Sequence, residues 1–167
     1  MGMDSEKLSK RVKQPGHDQT FQRAERDFLK ALKLIFKGPE WQVVDHPRDL
    51  SKMIAGRYGI VPEASLKNLK TGKIMYFEVK KQGIAGNADE RAAKHHTVAF
   101  YKALAKATKM PFHAFSTIMC ESLAIEARYV MKHPYYFEPG RYFCWVGYDL
   151  DILKTYLDKE VRPLLEK

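Results

Sequence analysis

Cysteine, acid and long apolar runs are all scarce in this chain of 167 residues, and each scarcity excludes something. There are two cysteines, Cys120 and Cys144, both inside apolar stretches. Two thiols so placed make neither a disulfide framework nor a zinc site, and they point to a reducing compartment, the cytoplasm. No stretch approaches the roughly 18 consecutive apolar residues of a membrane span. The first residues, MGMDSEKLSKRVKQP, offer no apolar core for a secretory signal. Acidic residues number 20 against 29 Lys and Arg, a net charge of +9. That surplus suggests a polyanionic partner, most simply nucleic acid, although small basic proteins also carry one for solubility alone.

What is present is enough for one globular domain: 45% of the residues are hydrophobic and 29% charged. Residues 1–17 mix Lys, Arg, Gln, Pro and Gly without periodicity and read as a flexible basic arm, leaving 18–167 as the folded domain. Apolar residues at three- and four-residue steps predict a helix from Gln19 to Lys37, stopped by Gly38-Pro39, and a shorter helix from Asp49 to Arg57. Ala64–Leu69 and Gly72–Lys80 flank the turn-like Lys70-Thr71-Gly72 and predict a hairpin. Its second arm, Ile74 to Lys80, is apolar on both faces for four residues, as expected of a central strand covered twice. A glycine-bearing loop, Gly83–Gly86, leads to a long helical pattern from Asn87 to Lys106. Strands follow at Ala114–Cys120 and Arg141–Val146, then a helix over Leu150–Leu165 distorted by Pro163. Strands alternating with helices predict a mixed α/β layer fold.

The chemistry concentrates at the end of the apolar strand. Glu78 and Lys80 are two residues apart and leave the same face. Charges on a strand otherwise built for burial must be paired with each other, with a metal or with water. Glu63, directly after Pro62, enters the other arm, so the hairpin brings Glu63, Glu78 and Lys80 to one place. Two carboxylates suit Mg²⁺ completed by water and a phosphate oxygen, the set that phosphodiester hydrolysis needs. The ordinary alternative is a cross-strand ion pair beside a Pro-Glu turn. Downstream, Gly86-Asn87-Ala88-Asp89-Glu90-Arg91 and Lys94 open a helix whose first turn offers free N–H groups to a phosphate. Asn and Gln suit adenine and Arg suits base acceptors. The same residues also fit a capping box, Asn87 with Glu90.

Pro62-Glu63 with Glu78-Val79-Lys80 resembles the motif of the PD-(D/E)xK nucleases. The continuation, Gln82-Gly83 and then Gly-Asn-Ala-Asp-Glu-Arg with Lys94, is similar to the EcoRI/MunI group of type II restriction endonucleases, from about Gly59 to Leu104. The resemblance implies a restriction-endonuclease-like fold, a mixed central sheet flanked by helices in a single domain. It implies catalysis by Glu63, Glu78 and Lys80, with Mg²⁺ on Glu63 and Glu78. It implies a DNA-reading element made of Gln82, Ala85, Gly86, Asn87, Ala88, Glu90, Arg91 and Lys94, in which Asn87, Arg91 and Gln82 address central A·T pairs. Glu90 would brace the two protomers' recognition arms and Lys94 would contact a phosphate. The implied partners are double-stranded DNA carrying a short palindrome with an AATT core, a second copy of the chain, and a cognate DNA methyltransferase in the same cell. The cut would leave 5′ overhangs.

Two departures qualify the resemblance. The first carboxylate is usually Asp; here it is Glu63, one methylene longer, which alters the metal geometry. The loop between Gln82 and Gly86 is shorter than in the group, with Ala85 where one member has Arg, which points to recognition of the core alone or to different reading of its flanks. Other residues carry weaker expectations. Glu25 reads as a solvated helix position rather than a further metal ligand, and His95 and His96 as surface or phosphate contacts. Tyr135-Tyr136-Phe137 and Trp145 read as core or dimer interface, and Arg128, Lys132 and Arg141 as phosphate contacts. The rival readings are a structure-selective repair or junction nuclease of the same superfamily, a DNA-binding protein with weakened catalysis, and a basic structural protein.

Overall fold

The apolar runs of the middle and late chain fold into one five-stranded sheet. The computed structural model describes residues 21–56, 59–82, 86–111, 113–121, 127–146 and 149–167, so the expected arm and Ala85 lie outside the described residues. The strands are β1 (Trp41–Asp45), β2 (Ala64–Asn68), β3 (Ile74–Gln82), β4 (Phe115–Glu121) and β5 (Tyr142–Val146), in that spatial order. β1, β2 and β3 pair antiparallel, whereas β3, β4 and β5 pair parallel. The β2–β3 turn is held by Asn68, whose Oδ1 accepts from the backbone of Lys70 (2.9 Å) and Thr71 (3.3 Å), and Gly72 supplies the left-handed φ of 74°. Parallel pairing requires crossovers, and helices provide them. Helices α3 (Ala88–Ala93) and α4 (Val98–Thr108) join β3 to β4, and α5 (Ala127–Tyr136) joins β4 to β5. The remaining helices are α1 (Phe21–Ile35), α2 (Asp49–Met53), α6 (Leu150–Tyr156) and α7 (Arg162–Glu166). Among the described residues no helix is long and apolar enough to cross a membrane.

β3 is central, and its two faces go to different layers. Met75, Phe77 and Val79 share one face by the two-residue period, and Tyr76, Glu78, Lys80 and Gln82 share the other. Phe77 is fully buried against Phe28 of α1, ring centroids 5.1 Å apart, and α1 in turn packs on α6. The opposite face carries α3, whose Ala88 and Ala92 pack with Met119 of β4 and Phe137. A strand enclosed in this way shields its charged end from water, which raises the electrostatic stakes there.

Three differences from the sequence expectations have local causes. The long helix of 87–106 breaks: α3 ends in a 3₁₀ turn, Lys94–His96, and Thr97 adopts extended backbone (φ −84°, ψ 151°). Its hydroxyl then accepts from Phe100 N (3.2 Å), capping α4 afresh. The C-terminal helix widens into a π turn at Leu157–Val161, and Pro163 falls in the first turn of α7, where its missing N–H is not needed. β1 and α5 were not foreseen; β1 is short and mostly polar on its exposed side, and Pro134 sits inside α5.

Phe77→Ala removes a ring enclosed on the α1 face of the central strand. It should lower unfolding free energy by roughly 3–5 kcal/mol, read from the midpoint of a urea or guanidinium titration.

Candidate active site

The β2–β3 ladder places the first carboxylate. Ala64 pairs with Phe77, and Glu63 N donates to Phe77 O (3.0 Å), so Glu63 stands level with the charged end of β3. Its longer side chain crosses to β3, where Oε2 accepts from Val79 N (2.9 Å) and Oε1 receives Lys80 Nζ (3.2 Å). Lys80 Nζ also touches Glu78 Oε1. The two acids and the amine thus meet at one ammonium, and both carboxylates are buried. The cross-strand ion pair offered as the ordinary alternative exists, but with two acids rather than one.

Two acids against one base leave the cluster short of positive charge. Burial pushes the Glu78 carboxyl up to about 8, helped by the charge of Glu63 and a hydrogen bond with it, and Lys80 only partly counters this. Burial works to lower the Lys80 ammonium, yet the carboxylates of Glu78 and Glu63 outweigh it and hold it above its ordinary value. Glu25 of α1, expected to be a plain solvated position, is only partly exposed, and burial followed by the charge of Glu63 raises its carboxyl. Glu25 therefore stands within electrostatic reach of the cluster; its place four residues after Phe21, on a helix packed over β3, was the available sequence signal. Among the described residues no group of three or more His, Cys, Asp or Glu is arranged to hold a metal. Two converging, under-compensated carboxylates fit instead the habit of Mg²⁺, which takes one or two carboxylates and completes its octahedron with water and substrate oxygens.

A cavity of about 390 Å³ opens beside Glu78, lined also by Gly59, Ile60, Val61, Lys94 and His95. His95 is inside rather than on the surface. It is 3% exposed, its ring lies 4.9 Å from Phe115 and 5.6 Å from Phe100, and burial followed by the charges of Lys94, Lys80 and His96 lowers it to about 3. His96 is also turned inward. Its Nδ1 accepts from Tyr101 Oη (2.5 Å) and from Glu138 N (3.3 Å), so its Nε2–H donates to Thr117 Oγ1 (2.8 Å). Burial followed by the charge of Arg141 lowers it to about 4. The surface reading of both histidines is corrected accordingly.

The proposed DNA-reading element divides into an inward and an outward half. Gln82, expected to face bases, is 2% exposed; its Nε2 donates to Gly86 O (2.8 Å) and its Oε1 accepts from Asp89 N (3.2 Å). Ala88, expected at the DNA, is buried in the cluster under α3. In both cases the side chain is packed where the start of α3 meets the sheet. Gly86, Asn87, Glu90, Arg91 and Lys94 are exposed. Asn87 makes no side-chain cap bond, so the capping-box alternative is not realised; the first turn is closed by Asp89 Oδ1 accepting from Glu90 N (2.8 Å). Glu90, expected to brace a partner's arm, pairs with Lys132 of its own chain (3.4 Å). Lys132 also pairs with the fully buried Asp89 (3.3 Å), tying α3 to α5. Arg141, expected at a phosphate, is buried over the Tyr101 ring (3.7 Å to the centroid) and donates to Pro111 O (3.0 Å). Trp145 and Phe137 are core, as expected, whereas Tyr135 is 88% exposed. The side chain of Arg128 lies outside the described residues.

Compared with solved structures, the chain is similar to MunI restriction endonuclease in complex with cognate DNA, with a TM-score of 0.70 and 16% identity over 88% of this chain and 96% of that one. At that identity the likeness is one of fold, and the fold is restriction-endonuclease-like: a mixed five-stranded sheet flanked by helices in a single domain. No protein-family profile and no curated protein sequence matches the chain.

The raised Glu78 carboxyl has a pH signature. The folded state holds this proton up to about pH 8, the unfolded state releases it near 4.5, so Glu78's contribution to stability is lost as pH rises through about 8. His95 and His96, lowered in the fold, act in the opposite direction, but only below their unfolded value of 6.5. Between pH 6.5 and about 8.5 the melting temperature of the metal-free protein should therefore fall, and Glu78→Gln should flatten that slope. Thermal melts of both proteins across the window check it.

Proposed function

We propose that this chain is a Mg²⁺-dependent endonuclease that hydrolyses double-stranded DNA at a short palindrome with an AATT core, leaving 5′ overhangs, as a type II restriction enzyme does. The observation that carries the proposal is the meeting of Glu63, just before β2, and Glu78 of β3 at the ammonium of Lys80. Glu63 and Glu78 would hold the metal, and bound Mg²⁺ supplies Lewis acidity toward a phosphate oxygen and a more acidic water. Lys80 keeps a full positive charge at the strand end, where it orients the attacking water and offsets charge on the phosphorane. Glu78 would have to give up its proton to serve as a ligand, which would link metal affinity to pH. Glu25 adds negative potential from the α1 side, favouring a cation over the bare cluster.

Base reading falls to Asn87 and Arg91, which project from the exposed start of α3, while Lys94 contacts a phosphate. Gln82 has a different part: it ties β3 to that helix start and fixes the direction in which Asn87 and Arg91 leave it. With two of the expected contacts turned inward, the reader is short, which supports the four-base core over a longer site. A palindrome is matched by a two-fold protein, so the working form is a homodimer. A cell carrying such an enzyme protects its own sites, hence the cognate DNA methyltransferase. The solved relative of similar fold is bound to its cognate DNA, which supports the same class of partner here.

The direct test is incubation of a sequenced phage genome with the protein and Mg²⁺, followed by end-mapping. Discrete ends at AATT-centred sites are expected; a smear of ends would favour shape-selective cutting instead. Lys80→Ala should abolish cleavage and leave site binding in Ca²⁺ within a few-fold, checked by gel shift beside the cleavage assay. Asn87→Ala and Arg91→Ala should each reduce discrimination at one base pair by about 1–3 kcal/mol, measured as relative cleavage of single-substitution sites.

A further inference from the structure

His95 does nothing in the fold that requires a histidine. Its neighbours are aromatic, Phe100 and Phe115, and its Nδ1 is sealed from solvent with no hydrogen-bond partner. A phenylalanine would fill the same space without burying an orphan nitrogen, so on packing grounds the imidazole is a stability loss. Sites that retain such a loss are commonly functional. The ring lines the cavity beside Glu78, which Lys94 also lines. Protonating Nδ1 would bury an N–H with no acceptor, so the proton of the neutral ring rests on Nε2, the ring nitrogen that is not sealed, on a side chain that lines the cavity.

We propose that His95 is a further substrate-contacting residue, whose neutral imidazole donates from Nε2 to a non-bridging oxygen of the DNA phosphate that enters the cavity against Lys94. The proposal rests on the nuclease reading above and assigns a phosphodiester group to this cavity. Neutrality suits the role. Lys80 and Lys94 already supply the positive charge, and a third cation beside them would be opposed by both. A neutral donor adds direction to that charge: it fixes which oxygen faces inward and hence how the phosphate presents itself to Glu78 and Lys80.

The experiment compares wild type, His95→Phe and His95→Gln by three readouts: melting temperature without DNA, affinity for a short AATT-centred duplex in Ca²⁺, and cleavage of that duplex in Mg²⁺. His95→Phe should keep or raise the melting temperature while weakening duplex binding several-fold and slowing cleavage by tenfold or more. His95→Gln, which keeps an N–H donor, should recover part of both losses. Three results would overturn the assignment: a His95→Phe protein that cuts and binds as wild type does, one that melts well below wild type, or Phe and Gln variants equally impaired. If wild type does not cut at all, the nuclease reading fails by itself. The phosphate assignment is then decided by duplex affinity and melting temperature, whose expected directions are unchanged.

Discussion

One ammonium shared by two buried carboxylates constrains everything around it. Separately, each acid would be an expensive guest beside a strand enclosed by α1 and α3; together they repel, and only Lys80 and the proton that Glu78 retains make the arrangement tolerable. The backbone contributes as well, since Glu63 is pinned by Val79 N and cannot swing out to water without abandoning a buried donor. The length of the Glu63 side chain is what lets it reach across to β3. A cluster left short of positive charge in a low dielectric favours the approach of a cation, and that charge balance is what the proposed Mg²⁺ site rests on.

The exposed start of α3 depends on a different set of ties. Gln82 fastens it to β3, Asp89 and Lys132 fasten it to α5, and His96 fastens the following turn to Thr117 of β4 and to Tyr101 of α4. Each tie uses a buried polar group, so none can relax without leaving an unsatisfied partner. Asn87 and Arg91 therefore leave from a fixed base, the condition for presenting donors and acceptors with ångström tolerance. The break at Thr97 belongs to the same design: a continuous helix would carry His95 and His96 round its axis and away from the strands they pack against.

The sequence made legible what periodicity and motif can encode. The apolar run Ile74–Val79 gave a central strand, the Lys70-Thr71-Gly72 turn gave its partner, and together they brought Glu63 beside Glu78. What escaped was set by tertiary context. Histidines next to Lys94 look like surface residues until the chain is seen to turn at Thr97 and drive them inward. Gln82 matches a base-reading residue by motif, but in the fold its amide is turned to Gly86 and Asp89. Glu25 passes for a solvated position because its distance from Glu63 is a property of how α1 crosses the sheet. Arg141 and Lys132 follow the same rule: positive charge near a nucleic-acid motif suggested phosphates, while packing gave them Tyr101 and Asp89.

The last turn of the chain reaches back to its earliest described elements. Arg162 stacks over Phe36 and donates to Ile35 O at the end of α1, 127 residues away in sequence, while Leu165 O accepts from Thr71 at the hairpin tip, 94 residues away. Contacts of such separation are entropically late, because nearly the whole polymer must be ordered before they close. The hairpin that bears the acids and the end of α1 are thus both tied to the stretch Arg162–Leu165. Folding of the described domain is therefore expected to be slow and all-or-none, with the acid cluster set in place only once these distant segments meet.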